Sequence, residues 1–418
     1  MAEGKLVRTE QAAPAELLNP MIAGEWAAVL THQTIPFISY PYEWSFCMLK
    51  DAALLHLELL DAALAEDMIL KDASAYNVQW IGTSPTFIDI PSFETLIPGT
   101  PWVGYRQFCQ LFLYPLLLQA YKDVPFQPWL RGSLEGIEPE HCNNFISTRD
   151  LLRPGVLTHV YLQAKFQRTY SKTKRKVKSD LMAAGFTKNL IQTNLKRLEK
   201  LINTLTWTRS KSQWSDYADE HGYGDADHEM KQTFVREVAM SRPWGLVWDL
   251  GCNTGMFSRI VAEHARYVVA MDADHLAIER FYNALKTERN RTILPLINNI
   301  ADASPNLGWR GLERKSLTER GRPELTLCLA LIHHIVLSAN IPLKEFTDWL
   351  ASLGTNLIIE FVTKQDPMVE VLLRNKADQY ADYEVGYFEE CLAESFAVSR
   401  RLPLRSGTRI LYYGTAKL

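Results

Sequence analysis

From about residue 214 onward, short apolar runs alternate with helix-like stretches, and this alternation limits the possible folds more than any other feature. The runs are GLVWDLG (245–251), YVVAMDAD (267–274), TILPLINNI (292–300), LTLCLALIH (325–333), NLIIEFV (356–362) and TRILYYGTAKL (408–418). Strands that are apolar along most of their length are covered on both faces. Strand, helix, strand in repetition then gives a parallel sheet with helices on either side. Residues 214–418 are therefore expected to form an α/β domain, a doubly wound Rossmann-like sheet.

The 418 residues exceed one ordinary domain, so more must precede that sheet. Residues 1–35 read as an irregular start. Residues 36–167 are aromatic-rich and read as a mixed α/β accessory domain. In it, MLKDAALLHLELLDAALAEDM (48–68) and YRQFCQLFLYPLLLQAY (105–121) have the look of buried helices. YNVQWIGTSPTFIDI (76–90) reads as two short strands around a Gly-Thr-Ser-Pro turn. Residues 168–213 read as a basic helical connector. Eleven Lys and Arg face two acids between Lys165 and Lys200, and Ile191, Leu195, Leu198, Ile202 and Leu205 form one apolar stripe. A solvated connector and a basic surface for an anionic substrate, a carrier protein or RNA both remain open.

A net charge of −3 argues against wholesale polyanion binding, so nucleic acid is not the expected partner. The six cysteines, Cys47, Cys109, Cys142, Cys252, Cys328 and Cys391, are scattered and form no CxxC pair. Neither a metal site nor a disulfide framework is expected, and a reducing cytoplasm fits. The first residues lack a signal-like pattern and no apolar run is long enough to span a bilayer, so no membrane anchor is expected.

The segment LVWDLGCNTGMFSRIV (246–261) carries the chemistry. A strand, a glycine turn and a helix usually cradle phosphate. Met256 and Phe257 stand where a P-loop would place Lys and Ser/Thr, and GCNTGMF lacks the dinucleotide G-x-G-x-x-G pattern. Asp249 would repel phosphate. It suits a cationic, phosphate-free ligand such as S-adenosylmethionine (SAM), which carries a sulfonium and an ammonium group. DLGCNTG resembles the first motif of class I SAM-dependent methyltransferases, an acid-x-Gly-x-Gly-x-Gly turn. Gly251 and Gly255 match, and Asn253 replaces the middle glycine, which Asn's tolerance of positive φ permits. The resemblance implies that Asp272 binds the two ribose hydroxyls and that Asp302 hydrogen-bonds the adenine amino group. It also implies that a helix upstream, near Trp214, Tyr217, Tyr223 and Lys231, covers the cofactor.

In an open parallel sheet, reacting groups gather at the carboxyl ends of strands. His333 and His334 stand at the exit of the fourth strand, where a neutral imidazole can take a proton from an attacking hydroxyl. His333, first after the strand, is preferred. If strand geometry continues, the two side chains point to opposite faces. Glu360, in the fifth strand, is a further candidate base. An Asp/Asn-Pro-Pro-Tyr/Phe motif is absent after the fourth strand, which favours oxygen or carbon acceptors over exocyclic amines.

In the front half, Asp72, Asn77 and Asp89 resemble the core of kinase-like and aminoglycoside-phosphotransferase-like folds. Leu70 replaces the His expected before the Asp, and Ile90-Pro91 replaces the residues after the metal-binding Asp. Too little chain precedes the first long helix to build an ATP-clamping lobe. The resemblance therefore implies a degenerate module for substrate docking or dimerisation, and a homo-oligomer is open. The whole arrangement resembles a bacterial family of nodulation-protein-type methyltransferases, which implies glycan or natural-product tailoring. The expected activity is SAM-dependent methylation of an oxygen, hydroxyl or carboxylate, on a small molecule or glycan precursor. SAM cyclisation, RNA methylation and a SAM-sensing binding module are the alternatives.

Overall fold

The computed structural model describes residues 4–12, 28–171, 187–209, 225–374 and 379–417. The chain divides into two units, Met1–Thr208 and Arg209–Leu418.

The first unit is built on the helix Phe46–Ala65, whose start is capped by the Ser45 hydroxyl accepting from the Met48 N–H at 3.5 Å. Its apolar residues Met48, Leu49, Ala52, Ala53 and Leu60 are fully buried. The strands are short and come in antiparallel pairs: β1 (Thr9–Gln11) with β2 (Leu30–His32), β3 (Met68–Leu70) with β6 (Phe93–Thr95), and β4 (Val78–Ile81) with β5 (Ser84–Phe87). The β4–β5 hairpin turns on Gly82 and Thr83 alone, with Gly82 at φ +60°; Ser84 and Pro85 already belong to the strand. Residues 105–122 form one helical run with a wider π-helical turn at Cys109–Leu113, just ahead of Pro115, which has no N–H to donate.

The helix Lys188–Thr204 buries Ile191, Leu195, Leu198, Leu201 and Ile202 and packs on Phe46–Ala65. Lys50 Nζ donates to the carbonyls of Asn203 and Leu205 at 3.0 and 2.9 Å, and Lys188 pairs with Asp67 at 2.7 Å. The second half of the expected connector is thus part of the first unit, because its apolar stripe finds a partner there. Among the described residues this unit holds only two-stranded sheets, and a kinase-like lobe is not shown.

The second unit is a seven-stranded sheet in the order β12-β13-β11-β10-β7-β8-β9. The strands are β7 (Trp244–Leu250), β8 (Ala265–Asp272), β9 (Ile293–Ile297), β10 (Leu325–Cys328), β11 (Asn356–Val362), β12 (Phe396–Pro403) and β13 (Arg409–Ala416). Strands β9, β8, β7, β10 and β11 run parallel, whereas β13 is antiparallel to β11 and to β12. Numbered within the unit, the order is 3-2-1-4-5-7-6 with the seventh strand reversed. The expected α/β sheet is present, with one strand more than the apolar runs indicated. The order reverses between β7 and β10, so their carboxyl ends open a crevice where ligands of such sheets bind. Beneath it, Val247, Val268, Ala270, Leu325, Leu327 and Ile358 join Phe234, Val235 and Val238 of the helix Asp225–Met240 in one core.

Candidate functional site

The crevice is lined first by the turn after β7. Gly251 and Gly255 have φ of +76° and +78°, and Asn253 has φ +48°. Asparagine therefore holds the left-handed position expected of it in place of the middle glycine. A Cβ on Gly255 would sit 1.8 Å from the ring of Phe281, and one on Gly251 would sit 3.3 Å from Leu331 Cδ1. Gly255 is thus required by close approach as well as by φ, and Leu331, beyond β10, forms the opposite wall of the turn.

The end of β8 holds the turn in place. The N–H groups of Gly251 and Cys252 donate to the Met271 carbonyl at 2.8 and 3.0 Å. Asp272 accepts from the Asn253 N–H on one oxygen and from the Asp274 N–H on the other, each at 2.8 Å. A carboxylate oxygen accepts more than one hydrogen bond, so Asp272 retains acceptor capacity for ribose hydroxyls. Burial raises its pKa to about 6, against the pull of these two N–H groups. Asp249 is 2% exposed and accepts from the Ser258 hydroxyl at 2.5 Å, which ties the helix Met256–Ala262 to β7. Burial lifts its pKa to about 7, the Ser258 hydrogen bond opposes this, and the nearby Asp272 charge adds to the rise. Two buried carboxyls that ionise reluctantly fit a cationic ligand, which would favour their charged forms. Asp302 is exposed in a short 3-10 turn, Ile300–Asp302, at the carboxyl end of β9. These residues fit SAM in chemistry: two carboxylates stand beside the turn, and Asp272 keeps acceptor capacity beyond its two backbone N–H partners.

The far wall differs from expectation. Strand β10 ends at Cys328, Ala330 has φ +48°, and His334–Ser338 is a π-helical turn. His333 and His334 therefore lie on helical backbone, not on alternating faces of a strand, and their ring centroids are 4.1 Å apart. His333 is 1% exposed, and its Nδ1 has no hydrogen-bond partner among the described residues. His334 is half-buried. Burial lowers both pKa values, that of His334 to about 4 and that of His333 well below the usual imidazole value, where His334 and Lys231 add to the fall. Both imidazoles are neutral at neutral pH. Of the two, His334 is the more exposed.

Glu360 is fully buried in β11, and both its oxygens are engaged. Oε2 accepts from Lys231 Nζ at 2.7 Å and from the Ala330 N–H at 2.8 Å, and Oε1 accepts from Arg409 Nη1 at 3.4 Å. Glu360 is 0% exposed and paired with two cations, so its carboxylate is turned towards Lys231, Arg409 and the Ala330 N–H rather than towards solvent. Lys231, expected beside the cofactor, spends its ammonium on Glu360 and lies 5.4 Å from the Phe257 ring centroid. Tyr223, Trp214 and Tyr217 lie outside the described residues. Leu331 and Arg409 were missed in the sequence because each acts through a partner distant in the chain, and Ser258 because a serine in the first turn of a helix is not marked by its pairing with Asp249.

In the first unit, Asn77 Nδ2 donates to Asp89 Oδ2 at 3.3 Å, and Ser92 Oγ donates to the same oxygen. Asp72 Oδ1 accepts from the Ser74 N–H at 2.9 Å, closing a local turn. Among the described residues no group of three or more His, Cys, Asp or Glu could hold a metal ion, and no helix is long and apolar enough to cross a membrane.

No family model matches the chain. The nodulation protein NoeA of Rhizobium meliloti (strain 1021) is 35% identical over 414 residues, covering 98% of this chain and 86% of NoeA. Among solved structures, the N-methyltransferase NodS of Bradyrhizobium japonicum WM9 is 12% identical, with 46% of this chain and 97% of NodS covered at a TM-score of 0.34. The magnesium protoporphyrin IX methyltransferase ChlM of Synechocystis PCC 6803, with bound S-adenosylhomocysteine, is 15% identical, with 49% of this chain and 94% of ChlM covered at a TM-score of 0.34. The fold assignment rests on the strand order and register of the sheet.

Proposed function

This chain belongs to the family of the nodulation protein NoeA, and from that premise we propose that it is a SAM-dependent methyltransferase acting on an oxygen, hydroxyl or carboxylate, of a small molecule or glycan precursor. The observation that carries the reading is the turn Gly251–Gly255 clamped to Asp272 where the strand order reverses. When bound there, SAM supplies an electrophilic methyl group on a sulfonium. The chain supplies position and charge. Asp272 anchors the ribose, Asp302 stands where the adenine amino group is read, and Asp249 adds buried negative charge beneath the turn.

The choice of oxygen rests on the imidazoles. His334, held neutral by burial, accepts the proton of an acceptor hydroxyl as that oxygen attacks. A carboxylate acceptor would need no proton removed, and alignment alone would suffice. His333 packs behind His334 and fixes its ring.

The test is to incubate the purified protein with SAM and a fractionated host extract and to follow products by mass spectrometry. A metabolite heavier by one methylene, formed together with S-adenosylhomocysteine, supports the reading. Methylthioadenosine without a methylated product would mean cyclisation of SAM and would replace it. Tight SAM binding with no product would leave a sensing module as the better account.

A further inference from the structure

The mechanism above does not use a group of four buried charges among the described residues of the second unit. Glu360, Lys231, Asp366 and Arg409 are 0%, 6%, 3% and 1% exposed. Arg409 binds Asp366 through two nitrogens, at 2.6 and 3.0 Å, and reaches Glu360 at 3.4 Å. Burying ion pairs this deeply is a poor way to gain stability, because desolvation offsets most of the attraction. Four such groups in one place need another reason.

Their attachments supply it. Lys231 lies in the helix Asp225–Met240, which runs beside the start of the helix Met256–Ala262: Gln232 Nε2 reaches Met256 Sδ at 3.6 Å, and the tilted rings of His228 and Phe257 have centroids 6.3 Å apart. That helix is one wall of the cofactor crevice. Ala330 belongs to the other wall, since its neighbour Leu331 abuts Gly251. Ala330 holds φ +48° without being glycine, a conformation that needs support from its surroundings. Its N–H donates to the same Glu360 oxygen that receives Lys231. One carboxylate oxygen thus ties the two walls together, and Arg409 steadies the other oxygen from β13.

We propose that Glu360 is a positioning residue for SAM: by joining Lys231 to the Ala330 N–H, it fixes the width of the crevice between the covering helix and the loop after β10. This rests on the methyltransferase reading above. It does not make Glu360 a catalytic residue, as its side chain is 0% exposed.

The test separates positioning from stability. Single variants Glu360→Gln and Lys231→Met each leave the buried cluster of two cations and two carboxylates with its charge unbalanced and should unfold at lower temperature. The double variant Lys231→Met/Glu360→Gln removes both charges and keeps an oxygen for the Ala330 N–H, so its melting temperature should return close to that of the parent. If Glu360 positions the walls, the double variant still binds SAM more weakly, by about tenfold or more in calorimetry, since one hydrogen bond to a charged group that held the helix is gone. Lys231→Arg, which keeps the cation, should restore the affinity. A double variant that melts and binds SAM like the parent would reduce the cluster to a stabilising element and overturn the proposal.

Hydrogen exchange on the parent protein gives a second reading that needs no variant. SAM should slow exchange in 225–240 and at Ala330–Leu331 together, and protection of one segment without the other would also overturn it. If the parent protein binds neither SAM nor S-adenosylhomocysteine, the methyltransferase reading itself falls and takes this inference with it.

Discussion

Asp272→Asn tests the cofactor site with little change of shape. In the parent, each Asp272 oxygen accepts one backbone N–H, from Asn253 and from Asp274. Asparagine keeps one acceptor and turns its NH₂ towards the other N–H, a mismatch that costs about 1–3 kcal/mol. The same change removes a buried charge. Burial raises the Asp272 pKa from 3.8 to about 6, so holding it ionised at neutral pH costs on the order of 3 kcal/mol. These two effects oppose each other, and the free protein should change little in melting temperature. SAM binding has no such offset, because the ribose hydroxyls lose a charged acceptor worth about 1.5–3 kcal/mol. The dissociation constant for SAM should therefore rise about 10- to 150-fold in calorimetry while the thermal unfolding midpoint stays close to that of the parent. A folded Asp272→Asn protein that binds SAM as tightly as the parent would refute the assignment of Asp272 as the ribose anchor.

Three further outcomes are expected. Asp249 and Asp272 have folded pKa values of about 7 and about 6, above the unfolded 3.8, so the free protein binds extra protons between these values and loses stability as pH rises from about 4 to 7; SAM favours the ionised forms, so its affinity should rise over the same window with proton release, measurable by calorimetry in two buffers, and a flat profile would count against both carboxyls. His334→Ala should lower turnover by about 10²–10⁴-fold while SAM binding persists, and the parent rate should rise with pH only through the lowered value of about 4 and be level above it; His333→Ala should chiefly lower the melting temperature, and the reverse pattern would restore His333 as the base. Gly255→Ala places a Cβ 1.8 Å from Phe281 at φ +78°, so urea unfolding should show a loss of about 2–5 kcal/mol; a loss below about 1 kcal/mol would mean that the turn yields more easily than its packing implies.

The parallel strands were legible because each is apolar nearly throughout, as strands covered on both faces must be. Strand β12, FAVSRRLP, was not, because it is an edge strand with mostly exposed side chains and no apolar rhythm. The glycine turn was legible in detail, including Asn253 at positive φ, since local conformation there is dictated by residue type. The histidine pair was located but misoriented: β10 stops at Cys328 because Ala330 turns left-handed, and the carboxylate that holds Ala330 comes from Glu360, thirty residues on. The pairing of Lys231 with Glu360 spans 129 residues, so nothing local announces it. The same holds for the helix Lys188–Thr204. Its apolar stripe was visible, but the surface that receives it, on Phe46–Ala65, was not.

The most direct test of the account is a calorimetric titration of the unmodified protein with SAM, and in parallel with S-adenosylhomocysteine, at neutral pH. One molecule of either ligand should bind each chain, and each should raise the melting temperature in proportion to its affinity. Absence of both heat and stabilisation with either ligand would contradict the central claim that the turn Gly251–Gly255 and Asp272 form a SAM site.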